Sequence, residues 1–126
     1  MNDYLNIERV DGYEKICQVE CFEKEFKKTT SEKNNNCRYH KWLRTQLYVL
    51  EAQGKEALKL EGFEHLNNTN PNLYSIRYPR SKKNPRVIYI YVDENMVYLL
   101  HAFRETKKSD YDMAIKTAQK RAKLFV

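Results

Sequence analysis

Leu73-Tyr-Ser-Ile-Arg77, Asn84-Pro-Arg86-Val-Ile-Tyr-Ile-Tyr91 and Leu99-Leu-His-Ala-Phe-Arg104 are three short apolar runs rich in Val, Ile and Tyr, separated by turn residues and followed by a helical pattern. Such runs read as strands over Leu73 to Tyr78, Arg86 to Asp93, and Met96 to Phe103 or Arg104. The Asp93-Glu-Asn95 link is too short for anything but an antiparallel hairpin, because a parallel crossover needs a dozen residues or more. The joint from Pro79 to Pro85 is short as well, so the three strands form an antiparallel meander. On the middle strand Ile88, Ile90 and Val92 share one face and Val87, Tyr89 and Tyr91 the other. Both faces are apolar, as a central strand requires, with helices expected on one side.

Outward from this core, Tyr111, Ile115, Ala118, Ala122 and Phe125 recur at helical spacing, with Asp110 or Ser109 able to cap the start. Tyr39, Leu43, Leu47 and Leu50 make an earlier stripe, capped by Asn35 or Asn36 and ended by Gly54. Trp42 lies one position off that stripe, at the edge of the core rather than free to stack a base. Residues 55–66 read as a short helix or an irregular segment, and Asn67 to Asn72 as a loop. Near the N-terminus Asp11-Gly12 is a hairpin signal pairing Asn6 to Val10 with Glu14 to Gln18. Ile16, Val19, Phe22 and Phe26 recur at three and four, however, and the reading preferred here is a strand up to Val10 and a helix after Gly12. Residues 27–36 are polar and read as a loop. The whole is one α+β domain over residues 1–126: a meander sheet packed with N-terminal helices and a C-terminal helix.

The chain has 126 residues and a net charge of +6. From Arg77 onward there are twelve Lys/Arg against five Asp/Glu, so the positive field coincides with the sheet and the last helix. No apolar run approaches the roughly 20 residues of a membrane span, and the start at Asn2 and Asp3 lacks the basic and apolar segments of a signal peptide, so a cytoplasmic protein with no membrane partner is expected. Three cysteines at irregular spacing suit a reducing compartment. Cys17, Cys21, Cys37 and His40 have the residue types of a Cys3His zinc site, but Cys17 and Cys21 fall among Ile16, Val19 and Phe22, where free Cys acts as a small buried hydrophobe. No metal or other cofactor is expected. With three glycines there is no phosphate-cradling loop, and no Ser-His-Asp or Cys-His pattern is identifiable.

What remains is cationic. Arg77, Arg80, Lys82, Lys83, Arg86, Arg104, Lys107 and Lys108 are interleaved with Tyr74, Tyr78, Tyr89, Tyr91 and Tyr111. Guanidinium forks hold phosphate oxygens and aromatic faces stack on unpaired bases, so the combination suits single-stranded or splayed RNA. Arg77 and Arg86 stand out because a cation on a strand or at its start is rigidly placed. His101, inside an apolar run, reads as a packed, hydrogen-bonded histidine rather than an acid or base.

The order Leu-Tyr-Ser-Ile-Arg77, Asn-Pro-Arg86-Val-Ile-Tyr, Leu-Leu-His-Ala-Phe103 and Asp110-Tyr111-x3-Ile115-x2-Ala118-x2-Arg121 resembles the RelE/HigB superfamily of toxins from bacterial and phage toxin-antitoxin modules, in particular its phage-derived HigB-like branch. The resemblance covers the segment from the Leu43 helix to Arg121. It implies a compact α+β fold, cleavage of messenger RNA, often on the ribosome, and neutralisation by a cognate antitoxin, expected to be a helix-turn-helix protein. By position, Arg86 matches the family's phosphate-holding arginine and Arg77 a basic residue on the preceding strand. Arg104 and Lys107 match basic residues after the last strand, and Tyr111 an aromatic near the start of the final helix. Arg80, Lys82, Lys83 and Lys108 would add RNA contacts. Glu105 departs from the pattern, lying where many relatives have Lys. Cleavage would proceed by attack of a 2′-hydroxyl on the adjacent phosphate, with Arg86 stabilising the growing charge, Arg77 orienting the phosphate, and Lys107 or Tyr111 exchanging protons if a nearby cation depresses its pKa. The rival readings are a poison of DNA gyrase similar to ParE, which cuts nothing, and a non-enzymatic RNA-binding module.

Overall fold

A computed structural model describes residues 5–79 and 81–126; Arg80, Asn2 and Asp3 lie outside them. The fold is α+β. Its elements are β1 (Ile7–Arg9), β2 (Ile16–Val19), α1 (Phe22–Thr30), α2 (Arg38–Gln53), a 3-10 turn (Gly54–Lys59), β3 (Phe63–Leu66), β4 (Leu73–Arg77), β5 (Pro85–Val92), β6 (Met96–Arg104) and α3 (Lys108–Ala122). Among the described residues no helix is long and apolar enough to cross a membrane.

The meander β4-β5-β6 is antiparallel as its short links require. It is the centre of a larger, mixed sheet of six strands in the order β1-β2-β6-β5-β4-β3. Strand β2 runs parallel to β6, which the long intervening chain permits. The expected helix after Gly12 is thus corrected to the hairpin alternative: β1 pairs antiparallel with β2, Ile7 opposite Val19, and Gly12 takes the positive φ (+90°) of the turn. The spacing of Ile16, Val19, Phe22 and Phe26 spans a strand-to-helix junction, so half of the apparent helical stripe is strand. Helix α1 runs on to Thr30, further than the expected loop allowed. Residues 63–66 of the supposed irregular segment form edge strand β3, with Phe63 opposite Ile76.

The start of α2 is held from a distance. Neither Asn35 nor Asn36 caps it; the Glu32 carboxylate accepts the backbone N–H groups of Tyr39 (2.7 Å) and His40 (2.9 Å) and the His40 Nδ1 (2.7 Å). At the other end Gly54, with φ +55°, donates its N–H to Leu50 O, closing the helix. Helix α3 begins one turn earlier than Asp110: Lys107 is the N-cap, and the Asp110 carboxylate reaches back to the N–H groups of Thr106 (3.0 Å) and Lys107 (3.1 Å).

Helices cover both faces of the sheet, not one. On the Val87/Tyr89/Tyr91 face, Tyr91 donates its hydroxyl to Gly54 O just beyond α2, and Tyr39 and Trp42 of α2 pack on Tyr78. On the other face Tyr111 of α3 packs on Phe103, and Phe125, after α3, packs on Tyr98. Val87, Ile88, Tyr89 and Ile90 are buried as a result, so β5 is pinned from both sides.

Beside β6 lies a polar tie. The pairing shifts between Ile88 and Tyr89, leaving Leu100 of β6 as an extra residue, and Arg121 Nη1 donates to its carbonyl at 2.8 Å. The same guanidinium grips Glu25 of α1 with both nitrogens (2.9 and 2.7 Å), and Glu25 Oε1 lies 3.0 Å from His101 Nδ1. His101 is therefore the packed, hydrogen-bonded histidine its apolar surroundings suggest. Burial alone would push the Glu25 carboxyl up, but the hydrogen bonds and charges of His101 and Arg121 override it and bring it down to about 2. Because the folded value lies below the ordinary 4.5, the stabilisation is present above pH ~4.5 and is lost as pH falls toward 2. It is on the order of 3 kcal/mol. Urea unfolding at pH 7, 5 and 3 should show Glu25→Gln less stable than the parent by nearly the same margin at pH 7 and 5, and by roughly half of it at pH 3; a gap that stays constant with pH would refute this origin.

Candidate functional site

Arg86 owes its position to the core. It is the second residue of β5, followed at once by four buried residues, and lies directly opposite Arg77 on β4 and Phe103 on β6. Opposite residues share a face, so two like charges stand side by side, an arrangement that costs stability unless an anion intervenes. Glu105 supplies it: its Oε1 pairs with Arg86 Nε, and the two side chains are only 24% and 15% exposed. The Glu105 backbone is fixed by strand pairing that continues past β6, its N–H donating to Asn84 O at 3.2 Å while Asn84 Nδ2 reaches back to Glu105 O at 3.4 Å. Asn84, with a positive φ of 39°, is itself braced against Ser81 in both directions (3.0 and 3.1 Å).

Above Arg86 lies the Tyr111 ring, 5.5 Å from the guanidinium carbon. The Tyr111 hydroxyl donates to Glu64 Oε1 on β3 (3.1 Å), the same oxygen that accepts Ser75 Oγ of β4 (3.1 Å). Burial pushes the Tyr111 hydroxyl up, and the Arg86 charge does not reverse this. Depression by a nearby cation, the condition set for proton exchange by Tyr111, is thus not met, and its ring packs over Arg86. Arg86 Nη1 is buried and has no hydrogen-bond partner among the described residues. An orphaned buried donor costs roughly 1–3 kcal/mol, more when charged, so the guanidinium is short of one acceptor.

Around it is an open cleft of about 540 Å³, lined by Asn84, Arg86, Glu105, Thr106, Lys107, Lys108, Tyr111 and Asp112. Lys107 and Lys108 stand at the start of α3, where Asp110 already meets the exposed N–H groups, so the two ammonium groups supply the cleft's free positive charge.

Of the residues read from sequence, Arg86, Lys107, Lys108 and Tyr111 come together in this cleft. Arg77 sits beside Arg86 on the same face and is exposed. Arg104 does not join them. It lies opposite Pro85, with its side chain on the other face, and donates weakly to Lys82 O (3.5 Å). With Lys83, whose Nζ donates to Ser31 Oγ (3.3 Å), it borders a separate hollow of about 410 Å³ together with Lys28 and His101. Lys82 is exposed in the β4–β5 joint. Arg80 lies outside the described residues. The residues of the zinc spacing do not assemble: Cys17 is buried in β2, Cys37 caps α2, and no group of three or more His, Cys, Asp or Glu side chains that could hold a metal ion is found among the described residues.

Sequence reading registered Glu105 only as a departure and missed Glu64, Ser75 and Asn84. Hairpin register alone does not find Glu105: counted back from the turn at Asp93 to Asn95 it falls opposite Lys83, and only the extra residue Leu100 brings it to Asn84 and onto the face of Arg86. Glu64 had no such signal, because β3 was not recognised as a strand.

No curated protein and no solved structure matches the chain. A family model does, that of the "Phage derived protein Gp49-like (DUF891)", over residues 38–123, from the first residue of α2 to just beyond α3. This span includes every strand of the meander and all the residues of the Arg86 cleft. The chain belongs to the phage-derived Gp49-like family, which lies within the RelE/HigB-like toxin superfamily.

Proposed function

We propose that the protein is the toxin of a type II toxin-antitoxin module, of the HigB-like branch, and acts as an endoribonuclease on messenger RNA in the cytoplasm, with the ribosome presenting the substrate. The observation that carries the reading is the half-satisfied Arg86 in a lysine-lined cleft: a rigid, partly buried guanidinium whose buried Nη1 lacks an acceptor, on a face with further cations. A phosphodiester fits that deficit, because its two free oxygens match the guanidinium fork.

The chemistry follows from the groups present. A scissile phosphate entering the cleft takes the place of Glu105 on Arg86, with Arg77 orienting it from the neighbouring strand. The displaced Glu105 carboxylate accepts the proton of the 2′-hydroxyl as that oxygen attacks phosphorus. Arg86 stabilises the charge on the phosphorane, the bond to the 5′-oxygen breaks, and Lys107 gives that oxygen a proton. The products are a 2′,3′-cyclic phosphate and a 5′-hydroxyl. Tyr111 positions Arg86 and takes no proton. A cognate helix-turn-helix antitoxin would silence the protein by covering the cleft or the adjoining face of α3.

A reading without chemistry, an RNA-binding module, draws support from one feature: the Arg86–Glu105 pair neutralises the most rigid cation in the cleft. Two substitutions separate the readings. Arg86→Ala should remove growth inhibition and lower RNA cleavage by about a hundredfold or more, the usual consequence of losing one preorganised transition-state donor. Wild-type toxicity in a soluble Arg86→Ala protein would sink the assignment. Glu105→Gln should lower cleavage by roughly 10²- to 10⁴-fold, the range of a general base, while RNA affinity holds or rises because Arg86 is freed. Undiminished cleavage by Glu105→Gln would remove Glu105 from the chemistry.

A further inference from the structure

The strand ends that carry Arg77 and Arg86 have a second face. Tyr78 follows Arg77 and donates its N–H to Pro85 O (3.2 Å), so it stands at the same end of the sheet with its ring on the α2 side. Around this ring the first turns of α2 build a compact group. Trp42 and Tyr39 meet Tyr78 edge-on, with centroids 5.1 and 4.9 Å away. The exposed Arg38 donates its Nε to the Tyr78 hydroxyl (3.0 Å) and holds its guanidinium 5.6 Å from the Tyr78 ring centre and 5.4 Å from that of Tyr39. Tyr39 is buried and anchors the group, Tyr78 and Trp42 are half-buried, and Arg38 is in solvent. Arg38 takes part in no ion pair among the described residues, and its exposed guanidinium faces outward.

We propose that Arg38, Tyr78 and Trp42 form a stacking subsite for one unpaired base of a single-stranded RNA whose phosphate lies at Arg86. An arginine plane fixed on aromatic rings, with its outer side in water, is the chemistry that takes a π-face without reading its sequence. Its placement adds direction. The cations of the cleft and this aromatic group lie on opposite faces of one sheet end, joined by the short loop that carries Lys82 and Lys83, so a strand crossing that end meets phosphate contacts first and a stacking contact next. Trp42, which edges the core, thereby has a second use for its exposed side. The inference rests on the RNA-cleaving reading but concerns binding alone.

Trp42 is the chain's single tryptophan, which makes it the probe. A fluorescein-labelled, fully 2′-O-methylated oligoribonucleotide, which cannot be cut, should raise its anisotropy on binding, and an unlabelled copy of it should quench Trp42 emission saturably at the same concentrations. An oligonucleotide of abasic residues should bind more weakly without quenching. Arg38→Ala, at an exposed position, should weaken binding roughly 5- to 150-fold, the range of one stacked base. Tyr78→Phe, which keeps the ring, should retain most of the affinity. A full anisotropy change with no change in Trp42 emission and wild-type affinity in Arg38→Ala would overturn the subsite and leave the cleft untouched. No anisotropy change, with ribosomes absent and with ribosomes added, would overturn RNA binding itself, and the subsite with it.

Discussion

Everything at the candidate site depends on the double-sided burial of β5. A strand apolar on both faces is stable only when both are covered, and here α2 with its following turn covers one and α3 the other. That leaves Val87 to Ile90 with no freedom, and Arg86, one residue upstream, inherits their rigidity. A flexible arginine on a loop would lose rotamer entropy on meeting a phosphate. Arg86, held by Glu105 below Tyr111, has already lost most of it in folding. The same anchoring sets the geometry of the opposite face, where Pro85 holds Tyr78 and the Arg38 group is assembled.

Charge is arranged on two levels. Near the core, cations are matched: Arg121 with Glu25, Arg86 with Glu105. At the rim, Lys107, Lys108 and Lys82 are exposed and unmatched among the described residues, as suits groups that attract a polyanion by counterion release without fixing its register. The Arg86–Glu105 pair couples the two levels. It stabilises the empty site against the repulsion of Arg77, and it must open for a phosphate to bind, so part of the substrate's binding energy goes into freeing the carboxylate.

The meander was legible because its strands are short apolar runs rich in Val, Ile and Tyr, bounded by turn residues, and its links are too short for any other topology. The last two helices were legible from their stripes. Where the reading failed, the deciding information lay far away in sequence. The helix start at Arg38 is capped by Glu32, and edge strand β3, with polar Glu64 and His65 between Phe63 and Leu66, has too few apolar residues to show a period. The turn at Gly12 was legible, but the strand after it was read as a helix because a strand and a helix in succession can counterfeit one helical stripe. At the site, cations announced themselves by type, whereas Glu105, Glu64 and Asn84 act through partners 11 to 47 residues away and carry no local mark.

The central claim is that the Arg86 cleft assists attack by a neighbouring 2′-hydroxyl. The most direct measurement uses one oligoribonucleotide bearing a site that the protein cuts, with ribosomes added if they are needed, and a second with a single 2′-deoxy substitution 5′ to the scissile phosphate. Cleavage of the first to a 2′,3′-cyclic phosphate and a 5′-hydroxyl, with the second bound equally well and left uncut, is the predicted result. Cleavage of the 2′-deoxy strand at the same bond, or products bearing a 5′-phosphate, would contradict it.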